Sequence, residues 1–407
     1  MKCARPVCSR LVATVRSHWF LILWLGVILG ATLVPFEGVE ETPPFLCVLC
    51  ADGTVADGAL NAALFLPLGA ALSIVGWRPL SALALGAGFS LSLETAQFVI
   101  PGRDPSLSDV LFDTLGTALG IALARSTSLW WRPKPRVAEI LSIAGALVMG
   151  SVLALTGLLL GPSFPEDTYY GGLAPRFGHL EWYGGRVLEV TLDGLEIPSG
   201  VIASSAEVRQ RLVSEATIHV RARAGPRPPG LAPLFTIHDG NQREILLLGV
   251  DGDDVVYRYR TRATAWGLIG PEIRARGALR RIAWRDPLFI RVHRDGSRFR
   301  VSVNMTEHCG LGYTSGIGWT FLLGGQSLPL WLQPALNVGW LAVLLFLAGR
   351  WVRFSWASAS AIVLLLASLL MLPPFVGLLP TPGTELVGAL CGFLAGCASR
   401  ATVRQAL

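Results

Sequence analysis

Polar and ionisable side chains cluster at the ends of three consecutive apolar segments in the first third of the chain. They are Asp57, Asn61, Glu94, Gln97, Arg103, Asp109 and Asp113. Glu94 and Gln97 stand three positions apart, which places both on one face of a helix. The same holds for Asp109 and Asp113, which stand four apart. Because ionisable groups inside a membrane span are costly and usually functional, we predict that these side chains share one outward-opening polar pocket.

The chemistry of such a pocket depends on charge pairing at low dielectric. The Arg103 guanidinium can make forked hydrogen bonds to one carboxylate and favour its ionised form, while a second carboxylate stays protonated. That arrangement suits binding of a cationic or phosphate-bearing headgroup. With Glu94, Asp109 and Asp113 as acid and base it would also suit catalysis, although the sequence shows no nucleophile–base pair. A structural network that ties three helices together is an equally open interpretation.

Composition indicates a membrane protein. The chain has 407 residues, of which 52% are hydrophobic and 15% charged, and its mean hydropathy is +0.52. Soluble domains carry about a quarter charged residues. The net charge is +6, but no basic stripe interleaved with aromatic residues is present, so we predict no nucleic-acid partner.

Apolar runs of the length of a membrane helix flank a polar central region. Eight candidate spans are 18–35, 59–77, 80–100, 107–125, 137–160, 331–349, 355–377 and 384–399. Arginine and lysine concentrate in alternate short loops, which predicts that both termini are cytoplasmic and that residues 162–330 lie outside. The predicted fold is multi-domain: a polytopic α-helical membrane bundle with an inserted all-β sandwich. Its predicted domains are 1–160, 162–330 and 331–407.

The central region has the period-two alternation of antiparallel strands. Examples are residues 217–222, 255–260 and 298–303. Asp-Gly turn signals at Asp239, Asp251 and Asp295 separate such runs. Short strands over this length favour a β-sandwich, and the segment resembles concanavalin A-like, laminin-G-type jelly rolls. The resemblance implies a domain that binds glycans, sometimes with calcium.

Acidic turn residues of this domain are candidate calcium ligands, since Ca²⁺ prefers oxygen donors. They are Asp239, Asn241, Asp251, Asp253 and Asp254. The favoured interpretation is that they are ordinary hairpin turn residues, and we predict no other cofactor. The domain has no run of paired carboxylates on one strand of the kind that glycoside hydrolases use.

The N-terminal polar residues also occur in a recognisable order. The pattern is Asp57-x3-Asn61-Ala-Ala-Leu-Phe65-Leu-Pro67-Leu-Gly69, then Glu94-x2-Gln97, Arg103, and Ser108-Asp109-x3-Asp113-x2-Gly116-x3-Gly120. Over about residues 18–130 this pattern resembles the VanZ-like family, which is named for a teicoplanin-resistance protein of the bacterial cell envelope. The family commonly has asparagine where Asp113 stands, so this chain adds a carboxylate. The resemblance implies an envelope role, with antibiotic resistance as one form of it, but no reaction.

The C-terminal helices echo the N-terminal ones. Asn337 occupies a position like that of Asn61, and Glu385 one like that of Asp113. The echo predicts a partial parallel repeat of the kind known in transporters.

The sequence Cys47-x2-Cys50 lies in a predicted outer loop. It is expected to form a disulfide, with a redox or metal role as the alternative.

These features favour an envelope membrane protein without catalytic activity. It would bind an envelope lipid, a glycan precursor or a glycopeptide antibiotic in the polar pocket, so its expected partners are membrane lipids or envelope glycans. A membrane enzyme that acts on a lipid-linked or headgroup substrate is the first alternative, and a transporter is the second. The oligomeric state stays open.

Overall fold

The computed structural model describes residues 5–35, 54–103, 105–176, 180–324, 328–329 and 331–405. Cys47 and Cys50, and with them the predicted disulfide, lie outside these residues. The helices are α1 Arg5–Thr32, α2 Thr54–Val75, α3 Pro79–Gln97, α4 Leu107–Arg125, α5 Thr127–Trp130, α6 Pro135–Leu160, α7 Ser205–Val213, α8 Arg262–Ala265, α9 Gln333–Trp351, α10 Trp356–Leu370, α11 Leu372–Phe375 and α12 Gly383–Gln405. A 3-10 helix covers Ser315–Phe321.

Among the described residues, four helical segments are long and apolar enough to cross a membrane. They are Val55–Val75, Leu107–Arg125, Pro135–Leu160 and Gln333–Trp351. His18–Thr32 and Trp356–Leu370 are shorter apolar helices. The membrane character expected from the sequence is therefore confirmed, while the count of eight spans and the direction of each span stay predictions.

The chain divides into two units, residues 1–138 and 139–407. Most of α6 thus belongs to the second unit, whereas the predicted N-terminal domain, residues 1–160, includes this helix. The reason is its apolar face, on which Met149 and Leu153 pack in one buried cluster with Leu341, Leu345 and Leu365 of α9 and α10. The division into three domains stays a prediction.

In the first unit, α2 and α4 approach to backbone contact. A Cβ built on Gly116 would lie 2.1 Å from the carbonyl oxygen of Ala62, and one on Gly120 would lie 1.9 Å from that of Leu66. Small residues allow such approach between membrane helices. The apolar cluster beneath includes Phe65, which is fully buried.

The second unit contains a similar seam between α9 and α12. A Cβ on Gly392 would lie 2.1 Å from the carbonyl oxygen of Ala342, and one on Gly396 would lie 2.0 Å from that of Phe346. Both seams use glycines spaced four apart on the later helix, which is one row of a helix surface.

Between α6 and α9 the described residues form twelve strands in two antiparallel sheets. They are β1 Tyr169–Leu173, β2 Arg186–Leu192, β3 Leu195–Glu196, β4 Gly200–Ile202, β5 Ile218–Arg223, β6 Leu231–His238, β7 Glu244–Asp251, β8 Asp254–Tyr259, β9 Ile273–Ala275, β10 Pro287–Asp295, β11 Arg298–Val303 and β12 Thr306–Leu311. The first sheet has the order β4-β1-β6-β7-β8-β9 and the second the order β12-β11-β10-β5-β2-β3. The two-sheet region expected from the sequence is present, and its concanavalin A-like identity stays a prediction.

The two sheets differ in how they are covered. Strands β6 and β7 are buried at every interior position, so both faces of the first sheet are covered there. Strands β5, β10 and β11 alternate between buried and accessible residues, so the second sheet buries one face and exposes the other.

The helix seam gives a direct test. We expect Gly120→Ala to lower the free energy of unfolding by about 1–3 kcal/mol, because the added methyl group overpacks the contact with Leu66. Gly88→Ala in α3 is the control, since a Cβ there meets nothing within 4 Å. Thermal unfolding of both variants in detergent measures the difference, and equal melting temperatures would contradict the close seam.

Candidate functional site

A polar cavity of about 390 Å³ lies where α3 ends and α4 begins. Its lining comes from α1, α2, α3, α4 and the loop that joins α3 to α4. The lining residues are Ala31, Thr32, Leu60, Asn61, Leu64, Leu93, Glu94, Gln97, Gly102, Arg103, Asp109 and Asp113. Six of the seven polar residues singled out in the sequence are in this set. The seventh, Asp57, is exposed at the start of α2 and does not line the cavity.

Glu94 fixes the position of the N-cap residue of α4, Ser106. Its carboxylate is 4% exposed and accepts a hydrogen bond of 2.6 Å from the backbone N–H of Ser106. The Ser106 hydroxyl in turn accepts from the backbone N–H of Ser108, which caps the helix. Glu94 thereby positions the helix that carries Asp109 and Asp113.

Only one of the two carboxylate oxygens of Asp113 has a hydrogen-bond partner among the described residues. The residue is 5% exposed, and its Oδ2 accepts a 2.7 Å hydrogen bond from the Ser90 hydroxyl. Its Oδ1 has no hydrogen-bond partner among the described residues, and neither has the hydroxyl of Thr117 one turn later. Buried polar atoms without partners are rare and costly. Asp109, nearer the helix start, accepts a hydrogen bond from the Asn61 side chain.

Arg103 is tied to the end of α1. Its Nε donates to the carbonyl of Val34 at 2.9 Å and its Nη2 to that of Ala31 at 2.8 Å. Gln97 donates to the carbonyl of Thr32 at 3.2 Å. The last carbonyls of a helix lack partners within it, so both side chains serve as its cap. The predicted role of Arg103 is to bind a carboxylate or phosphate, and capping of α1 is an additional role that no local sequence pattern signals.

The electrostatic balance of the cavity is acidic. Three carboxylates, Glu94, Asp109 and Asp113, line it with one guanidinium, and that guanidinium donates to two carbonyls. An ammonium or hydroxyl group placed against Asp113 would supply the hydrogen that Oδ1 lacks. Within the described part of the chain, no group of three or more candidate ligands could hold a metal ion.

The second unit also has a buried carboxylate near the start of its glycine-bearing helix, Glu385 on α12. Both oxygens of this carboxylate accept hydrogen bonds. Glu385 is 3% exposed, and its Oε1 accepts from the Thr314 hydroxyl at 2.5 Å and the Asn337 amide at 3.3 Å. Its Oε2 accepts from the Gly316 N–H at 2.9 Å. Trp319 donates to the Asn337 amide oxygen at 2.7 Å. The segment from Thr314 to Trp319 thus supplies Glu385 with two donors, Thr314 and Gly316, and no equivalent segment donates to Asp113 among the described residues. No local sequence pattern predicts this role of the segment.

The candidate calcium ligands lie far apart. Asp239 and Asn241 lie between β6 and the start of β7, whereas Asp251 ends β7 and Asp253 follows it, at the opposite end of that strand. At 3.3 Å per residue the two turns are roughly 23 Å apart, so one ion cannot bind both.

The acidic turn residues form ion pairs with arginines. Arg260 lies 3.6 Å from Asp239, Arg227 lies 2.9 Å from Asp253, and Arg274 pairs with Asp251 at 2.7 Å. Asp239 also accepts from the backbone N–H groups of Asn241 and Arg243. These contacts favour a structural role, as turn residues, for the carboxylates.

Comparison with known proteins gives one match. A family model described as VanZ/LLP1 matches residues 13–131, the region that forms the cavity. No curated protein and no solved structure matches the chain. The match and the apolar helices together indicate a membrane protein of the cell envelope.

The network at Glu385 yields a second test. Thr314→Val keeps the side-chain shape but removes a charge-assisted hydrogen bond to a buried carboxylate, so we expect a loss of about 1.5–3 kcal/mol of stability. Thr306→Val, on the exposed strand β12, is the matched control. If the two variants melt at the same temperature, the Thr314 bond does not stabilise the second unit.

Proposed function

We propose that this VanZ-like membrane protein binds an amine-bearing ligand of the cell envelope in the cavity lined by Glu94, Asp109 and Asp113. The observation that carries the proposal is the Oδ1 atom of Asp113, a residue of the cavity lining: this atom is buried and has no hydrogen-bond partner among the described residues. An ammonium group provides three hydrogen-bond donors and a positive charge. The positive charge complements the lining, in which three carboxylates accompany one guanidinium. The wider candidates are a lipid, a glycan precursor and a glycopeptide antibiotic.

The volume of the cavity limits the size of the ligand group that it can hold. Small-molecule sites typically occupy about 300–1,000 Å³, and this cavity of about 390 Å³ is near the lower limit. It accommodates a headgroup or a single amino sugar. A glycopeptide antibiotic would enter with one amine-bearing substituent only.

The arrangement of the membrane segments belongs to the same proposal. With both termini cytoplasmic, the end of α3 and the start of α4 face outward, and so does the cavity. Residues 162–330 then lie outside the cell membrane, where the β region meets envelope material.

Isosteric substitutions test the binding site. We expect Asp113→Asn and Glu94→Gln to weaken binding of short-chain phosphatidylethanolamine by about tenfold or more, since each removes a charge that pairs with the ammonium group. Asp57→Asn removes a nearby exposed carboxylate outside the lining and should leave binding unchanged. Native mass spectrometry of the detergent-solubilised protein measures the adducts, with phosphatidylglycerol as the amine-free lipid and teicoplanin as the glycopeptide.

The outcomes separate the interpretations. Equal adducts on all variants, or equal binding of both lipids, would contradict the amine site. Loss of melting temperature without loss of adduct would favour a structural network. A bound species whose mass changes with time in the wild type but not in Glu94→Gln would favour an enzyme. Flux into vesicles would favour a transporter.

The orientation has an independent test. Cys309 on β12 is exposed, so a membrane-impermeant thiol reagent should label it in spheroplasts if the β region lies outside. Cys309→Ser should remove that label, and peptide mass spectrometry locates it. Labelling of Cys309 only after lysis would reverse the proposed topology.

A further inference from the structure

The exposed face of the second sheet contains a groove of about 660 Å³. It crosses strands β2, β5, β10 and β11, and its lining includes Thr191, His219, Phe289, Arg291 and Ser302. Phe289 is 51% exposed and Met305, at the edge, is 98% exposed. The groove lies in the second unit, and nothing in the proposed pocket function accounts for it.

Strand register places polar side chains in one row across the groove. Arg291 on β10 pairs with His219 on β5 and with Ser302 on β11, and His219 pairs with Thr191 on β2. Phe289 lies two residues from Arg291, so it points to the same face. The row therefore combines a guanidinium, an imidazole and two hydroxyl groups beside an exposed aromatic ring.

The charges of this face are incompletely paired. Arg221 pairs with Glu189 at 2.7 Å, and Glu307 lines the edge of the groove. Arg291, at the centre, has no ion pair within the described residues.

The same holds for other exposed arginines of this face, namely Arg186, Arg223 and Arg300. Arg186 stands directly opposite Arg223, and like charges in that position destabilise a sheet. An anionic partner would relieve this repulsion.

We propose that the groove binds an anionic glycan chain, with Arg291 on a phosphate or carboxylate group of the chain. Arginine holds either group through two parallel hydrogen bonds. Thr191, Ser302 and His219 bond to sugar hydroxyls, and Phe289 packs on the apolar face of a sugar ring. A flat anionic membrane fits less well, because the row lies inside a groove.

The state of His219 agrees with this assignment. Burial, followed by the nearby charge of Arg291, lowers the pKa of His219 below its usual value of 6.5. At neutral pH the ring is uncharged, so one nitrogen donates a hydrogen bond and the other accepts one. Sugar hydroxyl groups offer both.

Titration of the full-length protein in detergent tests the proposal. The probes are polygalacturonate, which carries carboxylates, a poly(glycerol phosphate) chain, and uncharged dextran. We expect the wild type to bind at least one anionic chain and not dextran. Arg291→Gln should weaken that binding about tenfold or more, and Phe289→Ala should weaken it less. Arg243→Gln, which removes an exposed charge at the β6–β7 turn, should leave it unchanged.

Each outcome of the titration either supports or overturns glycan binding in the groove. Preference for one anionic chain identifies the group on Arg291. Equal binding by wild type and Arg291→Gln, equal loss in Arg243→Gln, or equal binding of dextran would overturn the proposal. So would binding to phosphatidylglycerol vesicles but to neither soluble chain. Because Arg291 is remote in sequence from Glu94 and Asp113, failure here leaves the amine site of the first unit untouched.

Discussion

The backbone contact between α2 and α4 is the constraint on which the candidate site depends. Gly116 and Gly120 leave no room for a side chain against the carbonyls of Ala62 and Leu66. Asn61 immediately precedes this seam on α2, and Asp113 lies one turn before it on α4. The helices therefore hold both polar groups in one space, and the buried carboxylate remains there in spite of its desolvation. Packing of small residues thus fixes the chemistry at the helix ends.

The same type of seam in the second unit shows a different use of a buried carboxylate. Glu385 accepts hydrogen bonds from Thr314, Asn337 and the Gly316 N–H. Asp113 accepts one from Ser90, and its other oxygen has no donor in the part of the chain that the structure describes. A carboxylate saturated by its own chain stabilises the fold. A carboxylate with an unused oxygen beside a cavity is suited to binding. This contrast, more than the number of acidic residues, supports a ligand in the first unit.

Local periodicity explains what the sequence could predict. Spacing of three and four residues placed Glu94, Gln97, Asp109 and Asp113 correctly on shared faces, and alternation identified the two-sheet region. Contacts that depend on remote residues were beyond such reasoning. The bonds of Arg103 to the end of α1 span about 70 positions, and the acidic turns looked like one calcium site because sequence proximity hides the length of β7. The grouping of α6 with later helices likewise depends on residues about 200 positions away.

The bond between Thr314 and Glu385 also orders events during biosynthesis. The two residues are 71 positions apart, so the hydroxyl leaves the ribosome well before its acceptor. At about 5–20 residues per second this interval is roughly 4 to 14 s. During it, the segment that follows the β region has donors but no carboxylate, because α12, which carries Glu385, has yet to be synthesised. Completion of the second unit therefore awaits its last helix, and a chain truncated before Glu385 would leave that segment without its acceptor.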